Sequence, residues 1–197
     1  MRVFLIGGGS GGHITPLLAV AHKIKQQYPD AELLAVCEKG SKFVSLYHDD
    51  ASIDAVYEIA ACKYRRYGGQ TRVQRLTDVE TLLLNARDVF RTLRGYRQAR
   101  KLLKTLRPDV MLVKGGFVAV PMGLAASKLK IPFLTHDSDS TPGLANRMIA
   151  RWAKLHATGM PSELYSYPAD KMVYTGIPVS QDFEPVDAAL QSQYRKI

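Results

Sequence analysis

A chain of 197 residues, 46% of them hydrophobic, is long enough to bury one layered core, and its formal charge of +9 suits an anionic partner. Cys37 and Cys62 lie far apart and form no CxxC pair, which leaves a disulfide framework or a zinc site little support and points to a reducing cytoplasm. The apolar run from Val3 to Ile6 is too short for a signal-peptide core, and no segment approaches a membrane-spanning length, so any membrane contact is expected to be peripheral.

Short apolar runs alternate with helical periodicity along the chain. RVFLIG precedes ITPLLAVAHKIKQQY, AELLAVCE precedes SKFVSLYHD, DVMLVKGG precedes PMGLAASKL, and IPFLTH precedes PGLANRMIARWAK. This cadence predicts an α/β fold, a Rossmann-like parallel sheet with helices on both faces; SIDAVYEI and MVYTG add weaker strands. Thr15-Pro16, Val120-Pro121 and Thr141-Pro142 each place proline where a first helical turn tolerates it, with Thr15 and Thr141 as N-caps. Those three helix starts are expected at the carboxyl edge of the sheet, where open α/β folds bind ligands.

The first strand runs into GGGSGGH. Gly7, Gly9 and Gly12 satisfy GxGxxG, and Glu38 ends the next strand, so an NAD(P)-binding oxidoreductase domain is one reading. Glycines let backbone N–H groups approach an anion at a helix N-terminus, so phosphate or diphosphate is the expected ligand class. Two features pull away from a dinucleotide. His13 and the Thr15-Pro16 start intervene before the helix, and Gly115-Gly116 offers a second loop on the same edge.

Residues 63–107 hold thirteen Lys and Arg against three acids, whereas the remainder is nearly neutral. From about Thr77 to Leu106 the pattern is helical, with Val89, Leu93, Tyr96, Leu103 and Leu106 on one side and Arg87, Arg91, Arg94 and Lys101 on the other. The Leu82-Leu83-Leu84 run cannot all face one core stripe, so Leu83 with Arg87, Arg91 and Arg94 forms a candidate anionic membrane surface. Tyr64, Tyr67 and Tyr96 interleave with arginine, but no RNA-binding or recognition-helix signature accompanies them, and no nucleic acid is expected. A non-catalytic membrane-binding module is the remaining alternative.

GGGSGGHITPLLAVA, GGFVAVPMGLAA, THDSDSTPGLANRMIARWA and VYTGIPV, in this order, resemble the N-terminal half of the MurG family within glycosyltransferase family 28. Its members are UDP-N-acetylglucosamine:undecaprenyl-diphospho-muramoylpentapeptide N-acetylglucosaminyltransferases of GT-B architecture, which build peptidoglycan precursors. The resemblance implies an acceptor-binding domain over residues 1–180, with 181–197 a linker or the start of a C-terminal donor-binding domain that is missing or separate. It also implies UDP-N-acetylglucosamine and an undecaprenyl-diphosphate-linked acceptor as partners, at the cytoplasmic face of the membrane, with no metal and no cofactor.

The family's two glycine loops lie against the acceptor diphosphate, and they map to Gly8, Gly9, Ser10, Gly11, Gly12 and Thr15, and to Gly115 and Gly116. Ser10, His13 and Asp139 are the implied contacts to the donor sugar. An HEQN-type segment of the family reads His136-Asp137-Ser138-Asp139 here, so a carboxylate replaces an amide. Either His13 or Asp139 is therefore the candidate base. Asp137 is equally well read as a solvated turn residue.

Overall fold

The computed structural model describes residues 1–62 and 79–180, and the side chains of residues 79–87 fall outside that description. The proposed linker at 181–197 and the side chains of Leu83, Arg87, Tyr64 and Tyr67 therefore lie outside the described residues.

Seven strands form one parallel sheet: β1 (Arg2–Ile6), β2 (Glu32–Glu38), β3 (Ala55–Ile59), β4 (Val110–Val113), β5 (Phe133–Asp137), β6 (Leu155–Thr158) and β7 (Met172–Tyr174). Their order is β3-β2-β1-β4-β5-β6-β7, so the chain reverses direction across the sheet between β1 and β4. Among the described residues five α-helices cover it: α1 (Gly11–Gln27), α2 (Ser45–His48), α3 (Val79–Leu106), α4 (Ala119–Leu129) and α5 (Leu144–Ile149).

Strand alternation divides the core. Leu5, Leu33, Ala35 and Cys37 face Ile14, Leu17, Ala21 and Tyr47 of α1 and α2. Phe4, Leu34, Val36, Met111 and Val113 face Ala99, Leu103, Met122, Ala125 and Ile149 of α3, α4 and α5. A sheet buried on both faces needs near-continuous apolar strands, which is what β1 and β2 supply.

The helix starts differ from the proline-based expectation. α1 begins at Gly11 with Ser10 as its N-cap, so Pro16 sits inside the helix and the exposed Thr15 hydroxyl donates to the Gly11 carbonyl. α4 begins at Ala119, and α5 begins at Leu144 after Gly143, so Thr141 caps nothing. Proline near a helix start leaves few intrahelical bonds to lose, so it does not fix the first residue. The consequence is that Gly11, Gly12 and His13 form the first helical turn itself.

The long helix also differs. Val89, Phe90 and Leu93 are 66%, 71% and 43% exposed, whereas Ala99 and Leu103 are buried. The inward face runs through small residues: a Cβ on Gly95 would collide with the Ala60 carbonyl. Close backbone approach selected that face, and Val89 and Leu93 were left with Arg91 and Arg94 on the exposed side.

Candidate active site at the sheet's reversal point

β1 and β4 pair in a register that ends Ile6 level with Val113, so the two glycine segments emerge side by side. Gly116 takes φ +79°, and a Cβ there would fall on the Gly8 carbonyl. Gly115 takes φ +131°, with the position of its missing Cβ only 3.2 Å from Cδ2 and Nε2 of His13. Glycine is required at both positions by contact as well as by φ. Phe117 closes over Gly9, which itself takes φ +82°.

His13 is thus the third residue of α1, with its ring laid against Gly115. Ser10 occupies the N-cap position with extended φ and ψ, yet its hydroxyl makes no capping bond. Instead Ser10 Oγ lies 3.0 Å from His13 Nδ1. The first turn of α1 therefore has neither a side-chain cap nor an acidic residue, and its positive end stays open toward the site. Burial, then the nearby Lys114 ammonium, pushes the His13 imidazole below its ordinary pKa, so it is neutral near pH 7.

Two side chains absent from the expected set brace the first loop. Tyr47 donates its hydroxyl to the Gly7 carbonyl at 3.2 Å from a fully buried position. Glu38 Oε1 accepts the Gly9 N–H at 2.9 Å, and a Cβ on Gly8 would collide with Oε2. The helix is not delayed, because α1 starts at Gly11, so its start does not disfavour a dinucleotide. Glu38 does disfavour it: its carboxylate is folded against the loop and bonded to it, rather than presented to a ribose.

Asp137 is a buried organiser, not a solvated turn residue. It is 4% exposed and accepts from Gly143 N at 2.9 Å, Asn146 Nδ2 at 3.0 Å and Tyr167 Oη at 2.8 Å. Tyr167 stacks on His156 at a centroid distance of 3.8 Å, and His156 Nδ1 lies 2.7 Å from the Thr135 hydroxyl. The Tyr165 hydroxyl donates to the Asp139 carbonyl at 2.6 Å, which fixes that backbone while the Asp139 side chain is exposed. Gly159 and Gly176 lie beyond, with His136 Nε2 3.0 Å from the Gly176 carbonyl.

The structure therefore brings together Gly8, Gly9, Ser10, Gly11, Gly12, His13, Gly115 and Gly116, with Asp139 on the adjacent strand end. The Gly9 N–H is already engaged by Glu38, and Thr15 lies one turn into α1. Arg91 and Arg94 stand apart on α3. His22 pairs with Asp50 at 2.9 Å and takes no part in the site.

Residues 3–158 match the glycosyltransferase family 28 N-terminal domain. The chain belongs to glycosyltransferase family 28. It is 38% identical over 186 residues to the UDP-N-acetylglucosamine–N-acetylmuramyl-(pentapeptide) pyrophosphoryl-undecaprenol N-acetylglucosamine transferase of Lachnoclostridium phytofermentans, covering 92% of this chain and 46% of the relative. The protein of the same name from Lachnospira eligens is 35% identical over 181 residues, again covering 92% and 46%. The crystal structure of Acinetobacter baumannii MurG superposes with a TM-score of 0.69 at 27% identity, over 91% of this chain and 46% of that one. The chain thus spans about half the length of the curated relatives it matches. Its fold is that of one half of a GT-B glycosyltransferase, in agreement with the motif resemblance.

Proposed function

We propose that this family 28 domain is the acceptor-binding half of an inverting transferase that moves N-acetylglucosamine from UDP to a lipid-diphosphate-linked muramoyl-peptide. The observation that carries this reading is the contact of Gly116 with the Gly8 carbonyl, which joins two glycine loops at the open N-terminus of α1, beneath His13. Such a cleft suits a diphosphate, whose oxygens take backbone N–H donors and the helix dipole. The names of the relatives, which carry both a UDP-sugar and a pyrophosphoryl-undecaprenol, support the same substrates.

In this reading the acceptor hydroxyl attacks the anomeric carbon of the donor sugar, the bond from that carbon to the UDP oxygen breaks, and the hydroxyl proton passes to His13 Nε2. For that, His13 Nδ1 must carry the ring proton and donate it in a hydrogen bond to Ser10 Oγ, which the 3.0 Å separation allows. His13 is the better base because it is neutral and held on both sides; the exposed Asp139 carboxylate then accepts from donor-sugar hydroxyls.

The exposed Val89, Phe90 and Leu93 beside Arg91 and Arg94 support a peripheral contact with anionic membrane, which is where a polyprenyl acceptor resides. No helix among the described residues is long and apolar enough to cross a membrane. The test is transfer from UDP-N-acetylglucosamine to the lipid-linked acceptor by this domain joined to a donor-binding domain, with the anomeric configuration of the product read by NMR. An inverted linkage is expected; no transfer, or retention, overturns the reading.

A further inference from the structure

Lys114 follows β4 directly and extends its ladder, its N–H donating to the Ile6 carbonyl at 2.9 Å. Alternation fixes where its side chain goes. Met111 and Val113 belong to the core under α3 and α4, whereas Val110 and Leu112 pack on the α1 side, so Lys114 projects to the α1 side, where His13 lies. The residue is only 6% exposed. Among the described residues its ammonium forms no hydrogen bond and no ion pair within 4 Å.

A lysine whose side chain is mostly buried and whose ammonium has no bonded partner is costly, and here it lies near the positive end of a helix. The titratable groups around it are His13 and His136, and Asp137 and Asp139 at the neighbouring strand end. Asp137 already accepts three hydrogen bonds from other residues, and Asp139 is exposed. Neither is bonded to Lys114.

A second observation points into the same space. Asn146 is 1% exposed, and its Nδ2 faces three acceptors: Asp137 Oδ1, the His136 carbonyl and the Lys114 carbonyl. That choice of partners orients the amide and leaves Oδ1 buried without a donor, 3.9 Å from where a Cβ on Gly115 would stand. An unbonded cation and an unbonded acceptor thus flank one glycine loop from below. A phosphate beside a hydroxyl, as in a sugar diphosphate, satisfies both.

We propose that Lys114 is a phosphate-binding residue of this domain, its ammonium taking an oxygen of the acceptor diphosphate held between the two glycine loops. The proposal rests on the diphosphate reading of those loops and adds to it a charged residue that a glycine motif does not reveal. It also accounts for a lysine in a nearly closed position, where methionine would fill about the same volume without the cost of burying charge.

The experiment is calorimetric titration of inorganic pyrophosphate into the chain as it stands, for the wild type, Lys114→Met and Lys114→Arg, with thermal unfolding of each. Wild-type binding weakened about 10- to 100-fold by Lys114→Met, largely restored by Lys114→Arg, with a Lys114→Met melting temperature no lower than wild type, is expected. Equal binding by wild type and Lys114→Met overturns the assignment of Lys114 while leaving the loops as the diphosphate site. Weak binding by both variants together with lowered melting temperatures means that Lys114 is structural, and also overturns it. No binding by the wild type removes the diphosphate reading itself, and the proposal with it.

Discussion

Gly116 and Gly8 are in backbone contact, so close that a methyl group on Gly116 would overlap the Gly8 carbonyl. The two loops are therefore one object, and a side chain at residue 116 must separate them. Gly116→Ala also forces alanine to φ +79°. The strained backbone alone costs about 1–3 kcal/mol, and the collision adds to it. Chemical denaturation should show that loss, and calorimetry should show pyrophosphate binding weakened together with it.

Ser10 holds an N-cap position but spends its hydroxyl on His13. An ordinary N-cap serine loses about 1 kcal/mol on change to alanine. Ser10→Ala should instead leave stability within about 0.5 kcal/mol of wild type, because no capping bond is removed. Its effect should fall on turnover: kcat about tenfold lower in the transferase, as the His13 ring loses the partner that fixes its tautomer.

Tyr167→Phe removes one of three donors to a buried carboxylate while keeping the stack on His156. Leaving Asp137 Oδ2 without its donor should cost about 1–3 kcal/mol by urea denaturation. A cost near zero would mean that the Asp137 cluster does not hold the β5 edge together.

Burial pushes His13, His136 and His156 each below the ordinary histidine value of 6.5. The unfolded chain takes up protons on these residues as pH falls through 6.5, whereas the folded chain resists until lower pH. The unfolded state therefore binds more protons in that window, so stability is retained above pH 6.5 and lost as pH falls below it. Melting temperatures measured from about pH 7.5 to about pH 5 should decline, with His156→Gln showing a shallower decline than wild type.

The sheet was legible because its strands are short apolar runs and its helices keep a 3.6-residue period, two patterns that sequence separates well. The glycine segments and His13 were legible too, since little besides ligand approach or backbone contact calls for so many glycines after a strand. The start of α1 was not, because Gly11-Gly12 reads as loop while an open anion-facing first turn tolerates it. The inward face of α3 was legible in part: Tyr96, Leu103 and Leu106 pack on the core as expected, whereas Val89 and Leu93 are exposed, because Gly95 and Ala99, which also face inward, have too little apolar area to mark where the stripe runs. Asp137 eluded the sequence because its donors come from residues 143, 146 and 167, joined to it only by folding. Lys114 carries no motif of its own, and only the β4 register turns it inward.

The central claim is that the acceptor reacts where the two glycine loops meet beneath His13. Its most direct test is the steady-state rate of N-acetylglucosamine transfer by His13→Ala in this domain joined to a donor-binding domain. A fall in kcat of about 10²- to 10⁴-fold is expected, as for loss of a general base, with folding preserved. A wild-type kcat for His13→Ala would contradict it.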